Sequence, residues 1–251
     1  MVVTGSSTKS ACFVSDLHLF SRRSTAPLYM DRIRSQAADA HTLVLGGDIF
    51  DFKWRTQAAF TESVDAAADW LKGMIELTDG GQVHFILGNH DSHPIFVERL
   101  EALQVAYPDF YWHRYYVRLG NCLFLHGDVA DGALDHDALD QRRQKFEGTS
   151  RKHNFWHLAY ELAIHAQLHR LALLTVREIK AIGRVRRYAD LIDQGPDQGV
   201  TDVYFGHIHT VLNGVQFDGL RFHNGGAAIR GHQFQILEPT LSQGASIGCS
   251  R

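Results

Sequence analysis

Five short apolar runs, each ending in side chains that bind metal ions, constrain this chain more than any other feature. They are ACFVS (11–15), TLVLGG (42–47), VHFILG (83–88), CLFLHG (122–127) and DVYFGH (202–207). Near-continuous β-branched and aromatic residues closed by a turn former predict buried strands. Helical spacing occupies the gaps between the early runs, at 28–40, 57–77 and 94–105, with Pro94 in a favoured first-turn position. Strand–helix–strand alternation predicts an α/β fold with parallel neighbours covered by helices. After Asp202, VLNGVQFDGLRFHNGG predicts hairpins in which Asn-Gly and Asp-Gly are tight turns, and GHQFQILEP alternates like a further strand.

The runs terminate in Asp16 and His18, Asp48 and Asp51, Asn89 to Asp91, His126 and Asp128, and His207 and His209. Ligands of open α/β sheets gather at the carboxyl ends of strands, so these groups are expected on one rim. In DLH and HIH the middle side chain alternates away from an extended backbone, leaving the outer two on one side. Composition agrees: 16 His and 28 acidic residues stand beside three Cys, which favours imidazole and carboxylate over thiolate ligation. Two dications about 3.5–4 Å apart need ligands for both and a shared carboxylate; they acidify a bridging water and neutralise phosphoryl charge. Asn89 would add an oxygen donor without further negative charge. The ligand set suits manganese first, with iron or zinc also accepted.

DLH, GDIFD, GNHD, HGD and GHIH, in this order, resemble the signature of the calcineurin-like metallophosphoesterases. The likeness spans residues 11–237 and implies a four-layer α/β/β/α sandwich around a binuclear centre. By that resemblance Asp16, His18 and His209 hold one ion, Asn89, His126 and His207 the other, and Asp48 bridges them. Hydroxide held between the ions would attack phosphorus in line. His90 would donate a proton to the leaving oxygen or hydrogen-bond the transition state, and Asp51 would orient it. Asp91 either supports its turn or caps the helix beginning near Pro94. Asn224-Gly225-Gly226 matches the family's Asn-Gly stretch. SDLHL, GDIFDF and an insertion after HGD are similar to the UDP-2,3-diacylglucosamine pyrophosphatases, in which the insertion is a cap over acyl chains. That branch commonly carries Arg and Glu at the positions of His90 and Asp51.

Residues 131–195 are the insertion, helical around 136–147 and 155–192 within a domain spanning 10–239. From Arg142 to Arg187 the net charge is +8, leaving −11 for the rest of a chain whose total is −3. This is either a solvated helical hairpin or a surface presenting cations to an anionic ligand. The apolar stripe between Phe155 and Leu174 either packs the hairpin down or forms a lipid-binding cap with peripheral membrane contact. The expected partner is an anionic, phosphate-containing small molecule or lipid. A general phosphodiesterase or phosphomonoesterase is the alternative, and a nuclease or phosphate-reading nucleic-acid module ranks below it, since nothing indicates base readout. Cys12, Cys122 and Cys249 form no CxxC pair, so a reducing cytoplasm is expected. No apolar run approaches the roughly 18 residues needed to span a bilayer. The ends, 1–9 and 240–251, are small and polar and are expected to be flexible.

Overall fold

Each predicted run becomes a strand in the structure, a computed structural model that describes residues 9–146, 171–242 and 248–249. β1 (Lys9–Val14), β2 (Thr42–Leu45), β3 (Gln82–Ile86) and β4 (Phe110–His113) form successive parallel pairs. Between them α1 (Met30–Asp39), α2 (Phe60–Leu77) and α3 (Pro94–Ala106) lie on one face. Ile33, Leu71, Phe96 and Leu100 pack there against Leu43, Leu45 and Phe85.

A second sheet begins with β5 (Tyr116–Leu119), antiparallel to β6 (Cys122–Leu125). The insertion then contributes α4 (His136–Gln144) and α5 (Leu171–Leu191), and the chain returns as β7 (Asp202–Phe205), parallel to β6. β8 (Val211–Phe217) pairs antiparallel with β9 (Leu220–Gly225), which lies parallel to β7. Val185, Tyr188 and Ala189 of α5 pack on Leu123, Val203 and Phe222. Phe13, Val44, Ile86, Val117, Phe124 and Tyr204 form the layer between the sheets. The order is helices, sheet, sheet, helices, the α/β/β/α arrangement expected.

Several local expectations change. Asp218-Gly219 is the hairpin turn, but Asn213-Gly214 lies inside β8, where pairing slips between Asn213 and Val215; Gly214, at φ +71°, absorbs a bulge. GHQFQILEP makes only isolated bridges, Gly226 to Phe234 and Phe13 to Leu237. Within the tail, β10 (Thr240–Leu241) pairs with β1, and β11 (Gly248–Cys249) with β5. Edge pairing uses backbone groups, so small polar residues satisfy it. The helix expected from 155 is described only from Leu171, and 155–170 lie outside the described residues.

Candidate metal centre

The expected ligands stand where strands of both sheets end. β1 delivers Asp16 and His18, β2 Asp48 and Asp51, and β3 Asn89 and His90; β6 delivers His126, and β7 His207 and His209. The rim is therefore shared by two sheets.

The extended backbone expected for DLH and HIH is absent. Asp16, His18, His207 and His209 have φ of +53°, +46°, +66° and +56°, and Asp48 has +50°. Left-handed backbone at a non-glycine residue costs about 1–2 kcal/mol, so five instances at one rim mark a site that the surrounding fold holds in place. The same turns send Leu17, Ile49 and Phe50 into the core while the polar neighbours face the rim. Phe50 packs against Phe20, Phe52, Trp70, Phe85 and Phe96. Burying that ring contributes about 1.5–3 kcal/mol and anchors the loop carrying Asp48 and Asp51.

Donor atoms converge closely. His209 Nε2 is 3.3 Å from Asp16 Oδ1 and 3.3 Å from His18 Nε2. His18 Nε2 is 3.8 Å from Asp48 Oδ2 and His126 Nε2 is 3.5 Å from it, so this oxygen lies between the two groups. Asn89 Oδ1 is 3.2 Å from His126 Nε2. Three sets have donor atoms all within 4.8 Å of one another: Asp16, His18 and His209; His18, Asp48 and His90; and Asp48, His126 and His207. Metal–ligand bonds of about 2.0–2.2 Å set neighbouring donors about 3.0–3.5 Å apart, which these spacings approach.

Electrostatics gives a second test of fit. Asp16, His18, Asp48 and His126 are almost completely buried. Burial opposes ionisation of Asp48, yet His126 and His90 outweigh it and hold the carboxyl well below its usual range. Burial likewise disfavours a charged His126, but Asp48 pushes its pKa up to about 10. His90 rises to about 9, because Asp51 and Asp48 outweigh its desolvation. Protons on imidazoles thus balance buried carboxylates where cations would otherwise do so. Ligand binding to a dication displaces such protons, and the residues present fit two metal ions.

Supporting contacts fix the orientations. His126 Nδ1 donates to Gly46 O at 3.1 Å, which turns Nε2 to the site. His90 N donates to Asp48 Oδ1 at 2.8 Å, and His90 Nδ1 donates to Asp51 Oδ1 at 2.9 Å. Asp51 Oδ2 also lies 3.4 Å from His18 Nδ1. Asp91 supports its turn: it accepts from Gly88 N at 2.7 Å and Ile49 N at 2.9 Å, joining two ligand loops. His93 instead caps α3, accepting from Ile95 N at 3.2 Å. Asn224 Nδ2 donates to Gly206 O, bracing the loop before His207. A Cβ on Gly88 would strike Asp48 Oδ1, and one on Gly206 would strike Asp16 Oδ2, so both loops require glycine.

Two acids behave in ways the motifs do not signal. Asp128, directly after the HG pair, faces Arg143 in a buried two-point ion pair, with Nε to Oδ2 at 2.8 Å and Nη2 to Oδ1 at 3.1 Å. Asp131 Oδ2 is 3.3 Å from His207 Nε2 and accepts from Arg142 Nη2 at 2.7 Å. The paired Asp-Arg spacing across α4 is the only trace of these links in the sequence.

A dimetal phosphatase from Danio rerio has a solved structure at TM-score 0.48 and 12% identity, with 93% of this chain and 96% of that one covered. No curated protein matches the sequence. Among the described residues no helix is long and apolar enough to cross a membrane. The profile of the calcineurin-like phosphoesterases matches residues 10–211, and the chain belongs to that family of metal-dependent phosphoester hydrolases.

Proposed function

We propose that the chain hydrolyses a phosphoester with two divalent ions, one held by Asp16, His18 and His209 and the other by Asn89, His126 and His207, with Asp48 between them. The convergence of these seven side chains from five loops carries the reading. When bound, the ions supply an acidified water and neutralise charge on the phosphoryl oxygens. The chain's own residues provide the rest. Asp51 fixes the His90 ring through Nδ1, leaving Nε2 to present a proton to the leaving oxygen. Asp91 and Gly88 hold the bridging loop against the loop carrying His90. Manganese is the proposed metal, with iron or zinc accepted by the same donors.

The finer substrate choice divides on particular residues. The His90–Asp51 pair supports a general phosphoesterase, since proton donation by imidazole suits a poor leaving group. A nucleotide-sugar lipid of the UDP-2,3-diacylglucosamine type would need cations and an apolar cap from the insertion. Arg143 turns inward to Asp128, Arg142 pairs with Asp131 at the surface, and Arg184 and Arg186 donate to the carbonyls of Ala130 and Asp218. These four of the eleven cations between 142 and 187 have partners within the fold, which supports the general ester. The test is a chelated protein reloaded with manganese, iron or zinc and assayed on monoesters, diesters and pyrophosphates. Activity is expected only after reloading, and Asp48→Asn is expected to lower it by at least about a hundredfold. Activity that survives full chelation sinks the proposal; UMP release from UDP-2,3-diacylglucosamine without simple ester hydrolysis establishes the lipid reading.

A further inference from the structure

Beside His90 the surface closes into a pocket of about 200 Å³. His18, His90 and His209 line it together with Trp54, Phe146 and Arg23. Neither aromatic is needed for metal binding or proton donation, yet both are tied to the groups that are. Trp54 N donates to Asp51 Oδ1 at 2.9 Å, the same oxygen that holds His90. The Phe146 ring lies 5.2 Å from the His90 ring, tilted by 57°, with Lys53 Nζ 3.9 Å from its centroid. Phe146 N donates to Arg143 O at 2.8 Å, so the buried Arg143–Asp128 pair sets where that ring sits.

If His90 protonates the leaving oxygen, the leaving group projects into this pocket. Its size is selective: cavities of about 150 Å³ accept benzene, whereas drug-sized ligands occupy about 300–1,000 Å³. The phosphoryl group, bound beside His18 and His209, takes part of this space, so what is left admits a single ring at most. We propose that Trp54 and Phe146 form a leaving-group subsite selecting phosphoesters whose leaving group is a single flat aromatic ring. This rests on the phosphoesterase reading. A flat ring meets aromatic walls in offset or edge contact; a saturated ring of equal carbon count is thicker and lacks that complementarity.

The test compares phenyl phosphate with cyclohexyl phosphate on the metal-loaded protein and on Trp54→Leu, Phe146→Leu and Phe146→Tyr. The intrinsic difference between the leaving groups cancels when the phenyl-to-cyclohexyl ratio of kcat/KM is compared between proteins. Each leucine variant is expected to reduce that ratio about tenfold, mainly through KM for the phenyl ester, and Phe146→Tyr to restore it. Non-hydrolysable phenylphosphonate, titrated against tryptophan fluorescence, gives a readout without turnover. It is expected to quench the wild type more strongly than cyclohexylphosphonate does, and to bind more weakly to Phe146→Leu, which keeps the Trp54 reporter. An unchanged ratio in both leucine variants, or equal affinity for the two phosphonates, overturns the subsite. Selective phosphonate binding with neither ester hydrolysed under any metal leaves the subsite standing and overturns the hydrolase reading.

Discussion

In the proposed reaction His90 and Asp51 divide one task between a proton donor and the group that aims it. The imidazole is anchored at three points: Nδ1 on Asp51, its backbone N on Asp48, and its ring beside that of His18 at 4.9 Å. Removing the ring should therefore cost most where the leaving oxygen most needs a proton. His90→Ala is expected to lower kcat by about 10²–10⁴ on an alkyl phosphate and far less on a p-nitrophenyl ester, with metal content retained by elemental analysis. Asp51→Asn keeps the imidazole but loosens its aim. It should reproduce the same dependence on leaving group with a drop nearer tenfold. A uniform loss across all leaving groups in either variant would assign the pair a structural role instead. The identities of these two residues were legible in GNHD and GDIFD. Their backbone was not, because the alternation rule presumes extended chain, whereas Asp16, His18, Asp48, His207 and His209 are left-handed.

Elements were legible in proportion to their apolar continuity. The five runs are strands because both faces of each are covered, so nearly every position is buried and inside the strands only His84 interrupts the apolar pattern. β4 and β5 were missed: FYWH and YVRL are short, with half-exposed positions, and a two-residue break separates them. Contacts between distant elements were least visible. Arg143 lies in the basic stretch 142–187, yet its guanidinium is buried against Asp128 and also donates to Arg114 O at 2.6 Å. Arg143→Met should destabilise the fold by about 3–5 kcal/mol in urea titrations, because Asp128 keeps its charge without a partner. Adding Asp128→Asn should recover part of that loss. β3 and β4 hold another such contact, His84 Nδ1 to His113 Nε2 at 3.0 Å, between the sheets. Burial pushes the His84 pKa down to about 4, against about 6.5 in the unfolded chain. Between those values the unfolded state binds more protons, so stability falls as pH drops from 6.5 to 4 and is unaffected above 6.5. The loss should approach about 2–3 kcal/mol, read as a lower urea midpoint at pH 4.5 than at pH 7, and His84→Gln should flatten it.

At the scale of the molecule, the centre joins two sheets whose shared layer is mostly apolar, the His84–His113 pair excepted. Asp16, His18, Asp48 and Asn89 belong to loops of the first sheet, and His126, His207 and His209 to loops of the second. Phe13, Phe124 and Tyr204 fill the layer between them, with centroids 5.2–5.9 Å apart, but they end where the rim begins. Above them, buried carboxylates and imidazoles face each other across the two sheets, and cations there would join what the hydrophobic layer cannot reach. Each ion bound to the folded state and not to the unfolded one adds RT ln(1 + [M]/Kd), about 2.7 kcal/mol at a hundredfold excess over Kd. For a chain of this size 1 kcal/mol moves Tm by about 2–4 °C. Stripping both ions should therefore lower Tm by about 10–20 °C in a calorimetric scan, and manganese in excess of the chelator should restore it. Asp48→Asn, which loses the proposed bridging ligand, should start from the lower Tm and respond weakly to manganese. If chelation abolishes activity but leaves Tm where it was, the rim is held by its protonated histidines alone and the ions serve only the reaction.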